Sequence, residues 1–412
     1  MSFNQWDLKS IGEIGDVITG KTPSTENEKN FGDMCYFITP RDMTGQKKID
    51  FTERKLSPDG IESVKKQFIK GPAICVSCIG SDMGKVVICE NDFVTNQQIN
   101  TISNIKGNYD IDFLYYSLKP MKDYLHGIAG GSTMPIVNKS TFETIKISVP
   151  TLNQQKAIAK VLSDLDEKIE INNKINRKLE EMAQAIFKQW FVDFEFPNEY
   201  GKPYKSSGGE MIESELGMIP EGWNSKSLLD IADYLNGLAM QKFRPKDDEK
   251  GIPVLKIKEL RQGKSDENSD LCSLNIDPKY IIHDGDVIFS WSGSLLVDFW
   301  CGGKCGLNQH LFKVTSSKFE KWFYYLWTKY HLDKFTRIAK DKATTMGHIK
   351  RADLSNSIVL VPNEVIMNKA NLILNPIIEK IIEARIEERK LSQLRDTLLP
   401  KLMSGEIRVP ID

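Results

Sequence analysis

Polar and basic side chains cluster in segments that the chain carries twice, between short apolar runs. Asparagine and glutamine amides can pair with adenine edges in the major groove of DNA. Serine, threonine, lysine and arginine side chains commonly bind backbone phosphates. We therefore predict nucleic-acid contacts for these residues: Lys21, Thr22, Ser24, Arg41, Asn96, Gln97, Gln98, Ser132, Thr133 and Lys139 in the first half, and Lys242, Arg244, Lys256, Lys258, Arg261, Asn308, Gln309, His310, Lys342, Thr344, Thr345, His348, Lys350 and Arg351 in the second.

Each of these residues also has a simpler interpretation, because most surface lysines and arginines are only solvated. The repeated amide pair, Asn96-Gln97 in the first half and Asn308-Gln309 in the second, also fits a structural role in which an amide holds a turn. Recurrence of the clusters in both halves supports the set more than any single member. Both interpretations of the amide pair stay open.

A nucleotide-binding motif offers a different chemistry, because Gly15–Thr22 fits the phosphate-loop pattern G-x-x-x-x-G-K-[ST] letter for letter. A working phosphate loop follows a buried strand and opens an amphipathic helix at its lysine. The polar segment Pro23–Lys29 follows instead, and the second half has Leu238 and Ala239 in place of the lysine and threonine. A nucleotide-dependent enzyme built on Gly15–Thr22 is therefore an alternative.

The seven cysteines do not form a metal-binding pattern. Cys75 and Cys78 lie in a strand-like run, where residues three apart point to opposite faces. Ile288 and Trp291 replace them in the second half, which predicts core packing at these positions. The Cys301–Cys305 segment has a better spacing, with Cys272 or His310 as a further ligand, but no second C-x-x-C pair follows at the usual distance. We predict no metal site.

Composition and charge bound the remaining classes. Scattered cysteines in odd number fit a reducing cytosol, no apolar run approaches the ~20 residues of a membrane span, and the first residues lack the features of a signal peptide. We therefore expect a cytoplasmic protein. The net charge of −1 gives no general attraction to phosphate, so DNA binding must depend on local clusters or on a more basic partner. The tetrapeptide of amino-methyltransferases is missing, and we expect no catalytic residues.

The sequence segments that would position these residues occur twice in the chain. Residues 6–20 match residues 223–237 at an offset of 217. Further along, the offset drifts to 212, where 96–97 faces 308–309. A register that holds over so long a stretch indicates two homologous halves.

Each half begins with about 150 residues of short β-type runs, punctuated by Gly, Asn, Asp and Pro. A short helix that carries Tyr115-Tyr116, or Tyr324-Tyr325, interrupts these runs. We predict an α+β fold with two homologous, strand-rich mixed α/β domains. The predicted organisation is a first globular domain (1–150), a first spacer helix (151–194), a surface-exposed linker (195–222), a second globular domain (223–362), and a second spacer helix with a tail (363–412).

Heptad patterns follow each globular domain and predict two long amphipathic helices. The seam residues are Ile158, Leu162, Leu165, Ile169, Asn172, Asn176, Leu179, Ala183 and Ile186 in the first helix, and Ala370, Leu374, Ile377, Ile381, Ala384, Glu388, Leu391, Arg395 and Leu398 in the second. A helix of about 33 residues spans ~50 Å and cannot bury its stripe alone. We predict an antiparallel coiled coil in a pseudo-two-fold, nearly circular arrangement, with Asn172 near Glu388 and Asn176 near Ala384.

Several segments resemble those of type I restriction-modification specificity subunits. Gly20–Ser24 is similar to a segment of that family's first domain, and Glu215–Trp223 resembles the start of its second domain. Gln154-Gln155 at the beginning of the first long helix and Ile186–Phe191 at its end are also similar. The second helix begins differently, because Asn363–Asn368 lacks the paired glutamines. The resemblance covers essentially the whole chain.

The resemblance implies two target-recognition domains spaced by two conserved helices, with no catalysis by this chain. It also implies assembly on double-stranded DNA with two methyltransferase subunits and with restriction/translocase subunits. S-adenosylmethionine, ATP and magnesium would belong to those partners, and no membrane is involved. Two different readers on a rigid spacer predict an asymmetric bipartite target with half-sites about one turn, ~34 Å, apart. A coiled-coil scaffold without a DNA role is a further alternative.

Overall fold

The computed structural model describes residues 6–130, 134–214, 217–246, 248–341 and 348–410. The chain divides into two compact units: unit 1 is Met1–Lys168 with Leu391–Asp412, and unit 2 is Ile169–Lys390. These units differ from the five segments predicted from the sequence, because each long helix is divided between them.

Short strands and helices form the part of unit 1 that precedes its long helix. Its strands are β1 (Asp7–Ser10), β2 (Asp16–Thr19), β3 (Phe31–Gly32), β4 (Cys35–Ile38), β5 (Arg54–Leu56), β6 (Ala73–Ser77), β7 (Val86–Cys89), β8 (Phe93–Thr95), β9 (Ile99–Ser103) and β10 (Lys146–Val149). Its α-helices are α1 (Ile11–Ile14), α2 (Pro58–Ser63), α3 (Ile111–Leu118), α4 (Lys122–Ile128) and α5 (Lys139–Thr144), and its 3-10 turns are Glu28–Asn30, Lys65–Gln67, Gly80–Asp82 and Lys119–Met121.

Two four-stranded sheets organise this part, in the orders β2-β9-β6-β7 and β3-β5-β4-β8, and β1 pairs with β10. The first sheet is antiparallel, whereas β4 and β8 are parallel in the second. The runs predicted as strands become β6 and β7, which are buried along their whole length. Helix α3 carries Tyr115 and Tyr116 into the core, as predicted.

Unit 2 repeats this plan. Its strands are β11 (Met211–Ser214), β12 (Gly217–Pro220), β13 (Asn224–Ser227), β14 (Asp233–Asn236), β15 (Ile252–Leu255), β16 (Leu271–Cys272), β17 (Ile281–Ile282), β18 (Val287–Ser290), β19 (Leu296–Phe299), β20 (Cys305–Leu307), β21 (Leu311–Thr315) and β22 (Ile358–Val361). Its shorter α-helices are α7 (Leu228–Ile231), α8 (Ile257–Gln262), α9 (Lys321–Tyr330), α10 (Leu332–Asp341) and α11 (Arg351–Ser355), with 3-10 turns at Met240–Lys242 and Pro278–Tyr280.

The sheets of unit 2 have the orders β14-β21-β18-β19 and β16-β15-β20-β17, with β13 paired to β22. The first order is that of unit 1 strand for strand, and β15 and β20 are parallel as β4 and β8 are. The two halves are therefore homologous in topology as well as in sequence, which confirms the predicted α+β repeat.

The two predicted spacer helices are present: α6 (Leu152–Phe187), which continues into a π-helical turn at Lys188–Val192, and α12 (Glu364–Met403). The predicted seam residues of both helices are buried or half-buried. Thr151 precedes α6 and donates its backbone N–H to Gln154 Oε1 at 3.3 Å, as a capping box requires. Gln155 is buried, and its amide donates to Pro150 O at 2.9 Å, so it fixes the start of α6.

Within each unit the two helices run antiparallel. In unit 1, Asp166 of α6 pairs with Arg395 of α12 at 2.7 Å. In unit 2, Glu180 of α6 pairs with Arg385 of α12 at 2.5 Å, while the earlier residue Asn172 reaches Glu387. Low numbers on one helix therefore meet high numbers on the other, as predicted.

Asn172 was predicted to lie near Glu388, and its hydrogen-bond partner is the adjacent residue, Glu387. The Asn172 amide donates to Glu387 Oε2 at 2.8 Å rather than to Glu388. Successive helical residues are turned by about 100°, so Glu387 lies on the flank of the seam, from which a long carboxylate can reach a buried amide. Asn176 and Ala384 are both buried, and Asn176 Oδ1 has no hydrogen-bond partner among the residues that the structure describes.

Of the described residues in the segment predicted as a surface-exposed linker, 195–222, most between 199 and 218 are exposed, as predicted. The segment also forms the hairpin β11–β12 and is anchored on unit 2 by buried Phe196, whose ring stacks on Trp223 at 5.3 Å and on Tyr204 at 4.5 Å. Burial of these aromatic surfaces stabilises the attachment of the segment to unit 2. In unit 1 the tail is placed similarly, since Ile407 and Val409 pack with Trp6 against the core.

Candidate nucleic-acid interface

The carboxyl ends of four strands meet at one edge of unit 1. Strands β2 and β6 both lie antiparallel to β9, so their carboxyl ends point the same way, and β4 is parallel to β8 in the second sheet, so the carboxyl ends of that pair also point the same way. We call this edge rim 1 and define it as residues 19–24, 38–41, 77–80, 95–98 and 134–137. The backbone bonds that join it are Gly20 N–H to Ile99 O (3.2 Å), Lys21 N–H to Thr95 O (2.9 Å), Asn96 N–H to Ile38 O (3.0 Å), Cys78 N–H to Gln98 O (2.7 Å) and Val137 N–H to Cys78 O (2.9 Å).

Unit 2 builds the same edge from β14, β15, β18 and β20. We call it rim 2 and define it as residues 236–239, 255–258, 290–293, 307–310 and 348–351. Its bonds are Gly237 N–H to Leu311 O (3.0 Å), Leu238 N–H to Leu307 O (3.0 Å), Asn308 N–H to Leu255 O (3.2 Å), Trp291 N–H to His310 O (3.4 Å) and Ile349 N–H to Trp291 O (2.9 Å). Each bond has its counterpart in rim 1.

A glycine is required at one matching position of each rim. A Cβ on Gly20 would lie 2.2 Å from Thr95 O, and a Cβ on Gly237 would lie 2.3 Å from Asn308 O. No carbon can approach a backbone oxygen so closely, and backbone cannot move aside as a flexible side chain can. These glycines let the first strand of each rim pass directly beside the turn that carries the amides.

The repeated asparagines hold that turn. Asn96 Oδ1 accepts the N–H of Gln98 at 3.1 Å, and Asn308 Oδ1 accepts the N–H of His310 at 3.2 Å. Both asparagines are largely buried, with 9% and 7% of their surface exposed. Of the two interpretations left open by the sequence, the geometry supports the structural one for Asn96 and Asn308, and this replaces the predicted base contact. The residues that follow each asparagine are the ones presented to solvent.

Rim 1 brings together several of the residues predicted to contact nucleic acid. The Thr22 hydroxyl donates to Gln97 Oε1 at 2.7 Å, and Lys21 next to it is exposed. Gln98 is half-buried and accepts the Asn96 amide at 2.9 Å. A cation, a hydroxyl and two amides therefore line one strand-end edge, where they could contact a phosphate and a base edge together.

Rim 2 has a different set of side chains on the same frame. His310 is exposed, and its Nδ1 lies 3.1 Å from Ser292 Oγ. The Trp291 ring lies 6.0 Å from His310 and 6.4 Å from His348, and its Nε1–H donates to Asn236 Oδ1 at 3.0 Å.

Trp291 was missed as a functional candidate, because its place opposite Cys78 in the repeat suggested core packing. The structure leaves it half-buried at the edge. The available signal was the change from a small side chain to a tryptophan at a strand end, where turn residues follow.

The remaining basic candidates fall into two groups. Exposed Arg41 in unit 1 and exposed Lys350 and Arg351 in unit 2 adjoin the rims through the chain. Arg351 also donates to Tyr234 O at 3.2 Å, which fixes its direction. The other basic candidates lie on neighbouring segments outside both rims: Lys139 (ion-paired to Glu143 at 3.6 Å), Lys242, Arg244 and Arg261.

Two lysines of rim 2 are engaged in surface ion pairs. Lys256 pairs with Asp270, and Lys258 pairs with Asp266 at 3.4 Å. The hydrogen bond from Lys256 lowers the pKa of Asp270. Ser24 is exposed, and its backbone oxygen accepts the Asn30 amide at 2.9 Å. The predicted contacts Ser132, Thr133, Lys342, Thr344 and Thr345 lie outside the described residues.

The phosphate-loop interpretation of Gly15–Thr22 is contradicted by the backbone. Strand β2 (Asp16–Thr19) runs through the middle of the motif, where a phosphate loop would turn. The next regular element after Lys21 is the short 3-10 turn Glu28–Asn30, so no helix N-terminus opens at the lysine. The match of Gly15–Thr22 to the phosphate-loop pattern is therefore a coincidence of sequence: its middle residues form strand β2, and its lysine belongs to rim 1.

The cysteines behave as core residues. All seven are buried and free. Burial raises the pKa of the Cys272 and Cys301 thiols to about 11 and that of Cys305 to about 12, which disfavours the thiolate that a metal binds. Among the described residues, no group of three or more His, Cys, Asp or Glu side chains is placed to hold a metal ion.

Comparisons with known proteins agree with this duplicated geometry. The family described as "Type I restriction modification DNA specificity domain" matches residues 4–181 and 220–391. The chain is 31% identical to the MjaIX type I restriction enzyme specificity subunit of Methanocaldococcus jannaschii, over 98% of this chain and 94% of that protein. It is 36% identical to the HindI specificity subunit of Haemophilus influenzae over 44% of this chain and 40% of the relative.

A solved structure supports the fold. The crystal structure of the S subunit of a type I restriction-modification system from M. genitalium aligns with a TM-score of 0.59 over 98% of this chain and 97% of that chain, at 18% identity. In the part of the chain that the structure describes, no helix combines the length and the apolar character needed to cross a lipid bilayer.

Proposed function

Because the chain belongs to the type I restriction modification DNA specificity family, we propose that it reads an asymmetric, bipartite target on double-stranded DNA, one half-site with each rim. The single observation that carries this proposal is the pair of rims, which share their backbone frame and differ in their side chains. Equal frames favour docking to DNA in the same way, and unequal side chains favour different base sequences.

The docking of partners belongs to the same proposal. Long helices with a repeated layout provide two similar surfaces, which suits two copies of one methyltransferase subunit, with restriction/translocase subunits joining for cleavage. We propose that this chain is not itself catalytic, and that S-adenosylmethionine, ATP and magnesium are bound by those partners. The family match and the specificity-subunit relatives support this division of labour.

Long-read mapping of modified adenines in host DNA tests the proposal. With the gene present, we expect a split and asymmetric methylated motif; after its deletion, we expect that motif to disappear. Co-purification with the methyltransferase encoded beside it would show the expected complex. Methylation that persists unchanged after deletion would overturn the proposal and leave a scaffold without a DNA role.

A further inference from the structure

Rims 1 and 2 share a backbone frame but differ in many side chains, and within the turn that carries the amides the last residue is Gln98 in unit 1 and His310 in unit 2. Gln98 and His310 occupy the same place, because each follows a turn-holding asparagine by two residues and the carbonyl oxygen of each accepts the N–H of the residue that follows the neighbouring strand. Where unit 1 has Cys78, unit 2 has Trp291. A difference in what the rims bind is therefore expected from their side chains rather than from the backbone.

The surroundings of Gln98 and His310 lead the two side chains to present different hydrogen-bonding groups at the edge of the rim. The Gln98 carbonyl oxygen accepts the Asn96 amide, which directs its own amide nitrogen away from Asn96. An amide in this position offers N–H donors to a base edge. The His310 ring is held at Nδ1 by Ser292 and lies against Trp291, so its second nitrogen, which is 3.4 Å from Gln309 Nε2, faces the exposed side of the rim.

Both side chains are held in place rather than free to rotate. Ser292, which fixes the imidazole, is itself buried, and Trp291 is anchored through its hydrogen bond to Asn236. Fixed polar groups discriminate between bases because the wrong base leaves a donor or acceptor without a partner. The adjacent glutamines, Gln97 and Gln309, are the same residue type in the two rims, so within each amide turn the residue type changes at positions 98 and 310.

We infer that positions 98 and 310 determine the difference in specificity between the two rims: the Gln98 amide selects a base in the half-site read by unit 1, and the His310 imidazole selects the base at the matching place in the half-site read by unit 2. This inference rests on the proposed function.

Reciprocal exchange of the two side chains tests the inference. His310→Gln and Gln98→His are each expressed with the full chain and its methyltransferase, and methylated adenines are mapped. We expect His310→Gln to lower methylation of the original motif by about tenfold or more and to change a base of the second half-site only. Gln98→His should change the first half-site only. Matched controls are His283→Gln and Gln67→His, away from both rims, which should leave the motif unchanged.

The outcomes separate the inference from the function on which it rests. If the unaltered complex produces no split motif, the proposed function fails. If it produces the motif and both exchanges leave the two half-sites unchanged, the function stands and the inference is overturned. A uniform loss of methylation without any change of sequence preference would also overturn it, because that result marks a structural role.

Discussion

Units 1 and 2 fasten their recognition domains to the spacer helices with opposite arrangements of charge. In unit 1 the central group is a carboxylate of α6: Asp166 accepts Arg395 of α12 at 2.7 Å and the hydroxyl of Tyr116, from the recognition domain, also at 2.7 Å. Lys119 approaches the same carboxylate at 3.8 Å. A neutral hydroxyl and a more distant lysine therefore share this anion.

In unit 2 the central group is a cation of α12. Arg385 binds Glu180 of α6 at 2.5 Å and Asp298 of the recognition domain at 2.8 Å. A second arginine, Arg389, holds Asp284 with both nitrogens, at 2.7 and 2.8 Å. Each half thus joins three elements through one ion, but the recognition domain contributes a hydroxyl in unit 1 and carboxylates in unit 2.

This difference shows that the two halves share their backbone structure while their side chains have diverged. The backbone bonds of the two rims correspond one for one, while the rim side chains and the charge centres do not. The proposed function would need both properties, because two matched docking geometries would then carry two different sets of DNA contacts.

Removal of the central ion should have the largest effect, and the effect should be unequal. Arg385→Ala leaves two partly buried carboxylates, Glu180 and Asp298, without their cation, and we expect a loss of about 3 kcal/mol in the stability of unit 2. Arg395→Ala leaves Asp166 with the Tyr116 hydroxyl and the more distant Lys119 cation, and should cost about 1.5 kcal/mol in unit 1. Hydrogen–deuterium exchange followed by mass spectrometry measures the two units separately.

An exposed pair provides the control for this comparison. Lys160 and Asp164 lie 2.6 Å apart on α6, with 73% and 57% of their side chains exposed. Lys160→Ala should change stability by less than about 0.5 kcal/mol. Equal losses for Arg385→Ala and Arg395→Ala would contradict the contrast drawn between the two charge centres.

Acid should destabilise unit 2 through a buried histidine. Burial lowers the pKa of His331 from 6.5 to about 4, although its ring bonds Ile358 O at 2.8 Å. Between these values the unfolded chain binds more protons than the folded one, so stability is lost as the pH falls from about 6.5 to 4. The shift corresponds to about 3 kcal/mol.

Tryptophan fluorescence during urea unfolding at several pH values measures this loss, because every tryptophan except Trp6 lies in unit 2. His331→Gln keeps an N–H donor for Ile358 O and removes the titration. We expect that variant to lose the acid dependence contributed by His331. An unchanged dependence would mean that other groups in unit 2 cause it.

Frame residues and reading residues should separate by their effects. Asn96→Ala and Asn308→Ala each remove the acceptor that holds a rim turn, and each should cost about 1 kcal/mol in local stability. Gln97→Ala and Gln309→Ala should leave stability unchanged and weaken DNA binding instead. Hydrogen–deuterium exchange of the backbone amides in each rim measures the local stability of these variants. Fluorescence-based titration with DNA measures their affinity. A weakened affinity after Asn96→Ala without faster exchange would make Asn96 a direct contact.

Local sequence patterns were sufficient to predict the two halves, two of the buried strands and both long helices. The repeat offsets located both halves, the apolar runs located β6 and β7, and the heptads located both long helices, because each of these signals depends on residues near one another in the chain. The sequence could not supply the partner of Asn172, since a change of one position moves a side chain by about 100° around a helix.

The candidate site was harder to predict for a related reason. The strand ends that form a rim come from distant segments, and whether a side chain there is buried depends on the turn that follows. The sequence consequently left both a base contact and a turn-holding role open for Asn96, and the structure shows its oxygen accepting the backbone N–H of Gln98. Trp291 packs against the core of unit 2 as predicted, but its half-buried ring also lies beside His310 at the edge, which the sequence did not indicate.

Lys21 should produce the smallest of these effects, and it decides between two chemistries. In rim 1 its exposed cation is one phosphate contact among several, so Lys21→Ala should weaken DNA binding by about 1 kcal/mol and reduce the slope of affinity against salt by about one. Titrations of the complex at several salt concentrations measure both quantities. Lys250→Ala, an exposed lysine of unit 2 outside both rims, is the control. A nucleotide site at Gly15–Thr22 would instead require that Lys21→Ala abolish ATP binding by this chain alone, which strand β2 argues against because it occupies the place of the phosphate-binding turn.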